Sequence, residues 1–132
     1  MGSTSTSSSS LEAFLKGHQI QYHTKGSSDY EELRSAFVVA SGYPVAITRP
    51  KTATEVALLV QYLGSNKIPF TVRSGGHDAY GRTVLQDGVT IDMRELDHVS
   101  VSPNKKTATV GGGIQSRKLL ERLAEHGLQY VA

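Results

Sequence analysis

The chain alternates between segments whose apolar residues recur at helical spacing and short runs of β-branched and aromatic residues. Leu11, Phe14 and Leu15 form one stripe ending at Gly17. Ser9 and Glu12 stand at capping-box spacing before it, so a short helix on the outside of the domain is expected. A polar connection from His18 to Ser27 leads to a second box, Ser28 with Glu31. It opens a helix whose Tyr30, Leu33 and Phe37 share a face before Gly42. Pro44 to Thr48 reads as a buried strand. Arg49 to Thr52 then turns into the most regular helix of the chain, with a Thr52/Glu55 box and an expected core stripe of Val56, Leu59, Val60 and Leu63.

Gly64 to Lys67 closes that helix, and Pro69 to Arg73 is the next strand. Residues 44–73 therefore have the order and lengths of a right-handed βαβ crossover with parallel strands. Val89 to Met93, Val99 to Ser102 and Thr107 to Val110 are shorter and separated by turns, and Pro103 to Lys106 is a plausible hairpin link. After Gly111-Gly112-Gly113, Ser116 is expected to cap a last helix with Leu119, Leu120, Leu123 and Ala124 on one face and Gly127 at its end. No internal repeat is visible, which argues against a solenoid. The fold class expected is α+β: a βαβ unit of α/β type followed by a small β-rich part.

Composition narrows the function classes. The 132 residues are 38% hydrophobic, enough for one ordinary domain core. The 14 basic and 12 acidic residues are interspersed, so there is no basic stripe of the kind that binds nucleic acid. Cysteine is absent, which removes disulfides, thiolate metal sites and thiol nucleophiles, and redox chemistry would need a cofactor. No apolar run approaches the roughly 20 residues that span a bilayer, and no signal peptide is seen, so neither a membrane nor export is expected and the location is read as cytoplasmic or unknown. Met1 to Thr6 formally fits an N-myristoylation pattern, but a disordered Ser/Thr-rich tail over 1–10 explains it better. His18, His23, His98 and His126 have no metal-ligand spacing, so no metal site is expected. Asp92, Glu95 and Asp97 read as solvated acids of a polar turn.

The chemistry concentrates at Val72-Arg73-Ser74-Gly75-Gly76-His77-Asp78-Ala79-Tyr80-Gly81, where two adjacent glycines leave a strand and a nucleophilic side chain follows. Glycine backbone at a strand exit can turn N–H groups onto an anion, and α/β folds place ligands there. Gly111 to Gly113 is either a second contact of that kind or a bulge and turn that lets the last helix pack closely.

Four blocks, Ala46 to Thr52, Val72 to His77, Val89 to Met93 and Val110 to Gly113, resemble in order those of the FAD-binding PCMH-type domain of berberine-bridge-enzyme-like and 6-hydroxynicotine-oxidase-like flavoproteins. The similarity runs from about Tyr30 to the end. It implies FAD as cofactor, with Arg73, Ser74, Gly75, Gly76, His77, Asp78, Tyr80 and Gly81 as the cofactor-binding segment. It also implies that the family's histidine at the position of His77, often bonded to the flavin 8α carbon, is a covalent anchor here. Gly111 to Gly113 would match a segment nearer the adenosine. The reaction class implied is hydride removal from a carbon next to oxygen or nitrogen, followed by reoxidation with oxygen.

Family members continue with a further cofactor segment and a substrate domain, so residues 44–132 are expected to be an incomplete FAD-binding domain after the helices of 11–43. Such a chain is expected to be insufficient for catalysis alone, and no catalytic base is identified. A small-molecule substrate would require further segments, and exposed apolar surface would favour a partner chain or self-association. The rival reading is a flavin-free scaffold of the same fold that binds a small molecule or a partner.

Overall fold

The computed structural model describes residues 3–35, 42–75 and 85–130. A four-stranded sheet is built from β1 (Gln21–His23), β2 (Ala46–Arg49), β3 (Phe70–Arg73) and β4 (Val89–Asp92) in the order β1-β2-β4-β3. β4 runs parallel to both β2 and β3, and β1 runs antiparallel to β2. The crossover expected between β2 and β3 is present, carried by α3 (Ala53–Ser65), but its two strands are not neighbours. β4, expected to begin the β-rich second half, inserts between them. Its four residues are all buried, as a strand covered on both faces requires.

One face of this sheet is covered by α1 (Ser3–Gly17) and α3. Leu11, Leu15, Ile20, Ala46, Leu59, Leu63, Val89 and Ile91 form the main core, so the first helix contributes to the interior rather than lying outside it. Phe14 of α1 stacks on Tyr62 of α3 with ring centroids 4.1 Å apart. That contact turns the buried face of α3 toward Tyr62, which leaves Val60, expected in the core stripe, 42% exposed. The other face of the sheet packs Ile47 against Tyr30 and Leu33 of α2 (Tyr30–Arg34). The Tyr30 hydroxyl donates to the Pro44 carbonyl at 2.7 Å, closing that second layer.

The capping boxes fared unequally. Thr52 caps α3 as expected, accepting from Glu55 N at 3.1 Å, while Glu55 Oε1 reaches back to Lys51 N. α1 begins at Ser3, so Ser9 is interior and backbone expected as a disordered tail is helical. Once Leu11 and Leu15 pack, extending the helix costs only propagation, and serine tolerates it. α2 starts after Asp29 without a side-chain cap, and Ser28 Oγ bonds Asp29 instead. Its described part ends at Arg34, where Ser35 is extended; Phe37 lies outside the described residues.

Three helices end alike. Gln19, Lys67 and Gly127 take positive φ after α1, α3 and α4 (Ser116–Ala124), and Ile20, Ile68 and Leu128 donate back to Leu15, Leu63 and Leu123, each at 2.9 Å. This is the Schellman arrangement with its apolar pair, and it folds the chain back toward the core. β5 (Val99–Val101) and β6 (Ala108–Val110) form the expected hairpin, whose link is closed by Lys105 N to Ser102 O at 2.9 Å. Among the described residues no helix is long and apolar enough to cross a membrane.

Candidate functional site

The carboxyl ends of β2, β4 and β3 place Arg49, Asp92 and Arg73 in one row, Arg73 and Asp92 being cross-strand partners. Asp92, expected as a solvated acid, is fully buried. Its last position on an interior strand turns it to the face covered by α2. There Arg49 Nε reaches its Oδ2 at 3.2 Å, and Arg94 Nη2 reaches the same oxygen at 2.7 Å. Burial opposes ionisation, but the hydrogen bonds from Arg94 and the charges of Arg94 and Arg49 outweigh it, holding the Asp92 carboxyl below its usual range. Arg49 also pairs with Glu95 at 3.0 Å, and Lys118 of α4 pairs with Asp97.

Arg73, expected to contribute charge to a bound cofactor, is only 4% exposed. Its Nη1 donates to the carbonyls of Leu33, at 2.9 Å, and Ser35, at the end of α2. Arg94 Nη2 donates to the same Leu33 oxygen at 3.2 Å. Cations at the last carbonyls of a helix satisfy acceptors left over by the helix and complement its dipole. Burial first, and then the charge of Arg94, lower the pKa of the Arg73 guanidinium. Arg73 Nε has no hydrogen-bond partner among the described residues.

Immediately after this row, Ser74 and Gly75 leave β3 and line a cleft of about 450 Å³. The opposite wall is Ile114, Gln115, Ser116 and Arg117, at the start of α4. Ser116 was expected to cap this helix, yet it is the first helical residue, Gln115 holds the cap position, and no side-chain cap bond forms. The start of a nine-residue helix therefore lies at the cleft without a side-chain cap from Gln115, with the Arg117 side chain 92% exposed at its rim. Such a helix start favours an anion. Strand-exit backbone on one side and an uncapped helix start on the other fit the phosphate portion of a dinucleotide.

The second glycine segment has a structural role. A Cβ on Gly111 would stand 2.2 Å from the Leu96 carbonyl oxygen, and one on Gly113 would stand 1.4 Å from that of Met93. The two glycines let the chain press against residues 93–97, and Gly113 N donates to Leu96 O at 3.0 Å. Gly76, His77, Asp78, Tyr80 and Gly81 lie outside the described residues. Of the expected segment, the structure brings Ser74 and Gly75 to the cleft and turns Arg73 away to α2. Sequence reasoning missed the charged row and placed the start of α4 within one residue but not at the cleft. The available signal was that Arg49, Arg73 and Asp92 each terminate an apolar strand run.

Comparisons with known proteins identify the family. The family described as FAD binding domain matches residues 44–132. The FAD-linked oxidoreductase aurO of Gibberella zeae is 43% identical over 110 residues, 83% of this chain and 22% of that protein. The crystal structure of 6-hydroxy-D-nicotine oxidase from Arthrobacter nicotinovorans superposes with a TM-score of 0.79 at 27% identity, over 86% of this chain and 25% of that one. Glucooligosaccharide oxidase from Acremonium strictum, described as carrying a 6-S-cysteinyl, 8α-N1-histidyl FAD, shares the fold with a TM-score of 0.74 at 22% identity, over 86% of this chain and 25% of that one. The chain thus spans about a quarter or less of the length of these relatives. With the parallel strands, the strand-exit cleft and the matching family signature together, this chain belongs to the FAD-binding domain family of the berberine-bridge-like and 6-hydroxynicotine-oxidase-like flavin oxidoreductases.

Proposed function

We propose that the chain is the FAD-holding part of an oxygen-dependent flavin oxidoreductase and that catalysis requires further polypeptide. The observation that carries this reading is the cleft between Ser74-Gly75 and the uncapped start of α4, at the carboxyl ends of the parallel strands. Backbone N–H groups of Gly75, of Gly76 by the resemblance, and of the first turn of α4 would hold the phosphates, and Arg117 would add charge at the rim. By the family resemblance, Asp78, Tyr80 and Gly81 would contact the ribityl or isoalloxazine part of the flavin. His77 is the covalent attachment point through an imidazole nitrogen, a reading supported by the resemblance of its loop and by the histidyl flavin of the Acremonium oxidase. When bound, FAD would accept hydride from a carbon next to oxygen or nitrogen and return to its oxidised form with oxygen. The substrate, a small molecule, would be positioned by residues beyond this chain.

The test is the visible spectrum of the protein expressed with ample riboflavin, before and after acid precipitation and washing. Flavin absorbance that survives precipitation, and is absent from precipitated His77→Ala protein, is the expected result. Absorbance lost on precipitation would keep FAD binding and remove the covalent anchor. A folded, colourless protein that takes up no added FAD would remove both and favour the flavin-free scaffold, against which family membership weighs.

A further inference from the structure

We propose that Arg73 is a positioning residue for the cofactor loop: it ties the last residue of β3, and with it Ser74 and Gly75, to the end of α2. The inference rests on the FAD reading above and reassigns the charge nearest the glycines. Three observations carry it. The Arg73 side chain is buried, and its Nη1 is committed to the Leu33 and Ser35 carbonyls. The cleft is lined by Ser74 and Gly75 but not by Arg73. The Leu33 oxygen is shared with Arg94, which Asp92 clamps from its Oδ1 and Oδ2, so the acceptor that receives Arg73 is itself fixed to the next strand.

The chemistry explains why arginine suits the position. One Nη carries two protons and serves both carbonyls, and a guanidinium is less strongly hydrated than an ammonium, so its burial is less costly. A lysine Nζ, which carries three donors, stands one bond nearer the backbone than Nη1 and so falls short of the position between the two carbonyls. Asp92 compensates the charge without taking the bond: it is the cross-strand neighbour, yet its carboxylate is occupied by Arg49 and Arg94. Anchored in this way, the loop leaves β3 with its first two residues already directed at the helix start across the cleft, and less of its freedom is lost when a ligand binds.

The experiment measures FAD dissociation constants by fluorescence titration in a His77→Ala background, which removes the proposed covalent link, for that parent and for its Arg73→Lys and Arg73→Met derivatives, at a temperature where circular dichroism shows each folded. The expected result is a loss of about tenfold or more in both variants, with lysine no better than methionine within about threefold. Affinity retained by Arg73→Lys would overturn the proposal in favour of a direct charge on the cofactor. Affinity retained by both variants would overturn it in favour of a purely structural side chain. A second readout uses wild type alone: the Arg73 Nη1 protons should give resolved, slowly exchanging NMR signals without FAD, and solvent-fast exchange would overturn the tether even if the variants fail to fold. Wild-type protein that binds no FAD while those signals persist would overturn the FAD reading, and with it the role assigned to the loop.

Discussion

Asp92 accepts three hydrogen bonds from Arg94, from the backbone N at 3.0 Å and Nε at 2.9 Å to Oδ1, and from Nη2 at 2.7 Å to Oδ2. The carboxylate is fully buried, so the pair holds an interior strand end, a helix end and a neighbouring strand in one arrangement. Removing one member of such a group leaves buried charge uncompensated. Asp92→Asn is expected to cost about 3–5 kcal/mol in urea unfolding at neutral pH, far more than an exposed ion pair.

The same carboxylate sets an acid response. Its folded pKa lies below the ordinary value, so the unfolded chain takes up the proton first. The contribution is complete above about pH 4, the ordinary carboxyl value, and is lost as pH falls through the lower folded value. Wild type should therefore lose stability over that acid window more steeply than Asp92→Asn, measured as the slope of unfolding free energy against pH. Parallel slopes would show that Asp92 is not the group responsible.

Helix ends offer a stabilising change. Lys67 occupies a left-handed position, φ 54°, that glycine occupies at the end of α4, where Gly127 has φ 70°. Lys67→Gly relieves side-chain crowding but adds freedom to the unfolded chain, leaving an expected net gain of about 0.5–1 kcal/mol. Gly127→Ala should move stability the other way by about 1 kcal/mol. Thermal melts of the two variants check both signs.

The triple glycine divides cleanly. Among the described residues no neighbour lies within 4 Å of a Cβ placed on Gly112, whereas one placed on Gly113 would collide with the Met93 carbonyl. Gly112→Ala is expected within about 0.5 kcal/mol of wild type, and Gly113→Ala to cost about 3 kcal/mol or more, or to prevent folding. Equal effects in chemical denaturation would contradict the packing role.

Within α3, Leu59 is fully buried and Val60 is 42% exposed. Leu59→Ala should cost about 2–5 kcal/mol and Val60→Ala roughly 0.5 kcal/mol or less. Similar losses at the two positions would mean that both face the core.

Local chemistry was readable in the sequence because it depends on residues a few positions apart. The Thr52/Glu55 cap, the turn at 102–105, Gly127 after the last helix and the strand exit at Arg73-Ser74-Gly75 all follow from side-chain type and spacing. The ordered blocks likewise carry the FAD resemblance in the sequence alone. Only the tertiary structure decided which strand lies between β2 and β3, because apolar runs encode burial but not the identity of the neighbour, and parallel partners are distant in sequence. Strand register then decided the charges. Asp92 looks like a solvent-facing acid in sequence, and Arg73 looks like a ligand for phosphate. Pairing β4 with β3 in this register sets them side by side beneath α2, where burial, hydrogen bonding and the helix end turn both into scaffold for the cleft that Ser74 and Gly75 line.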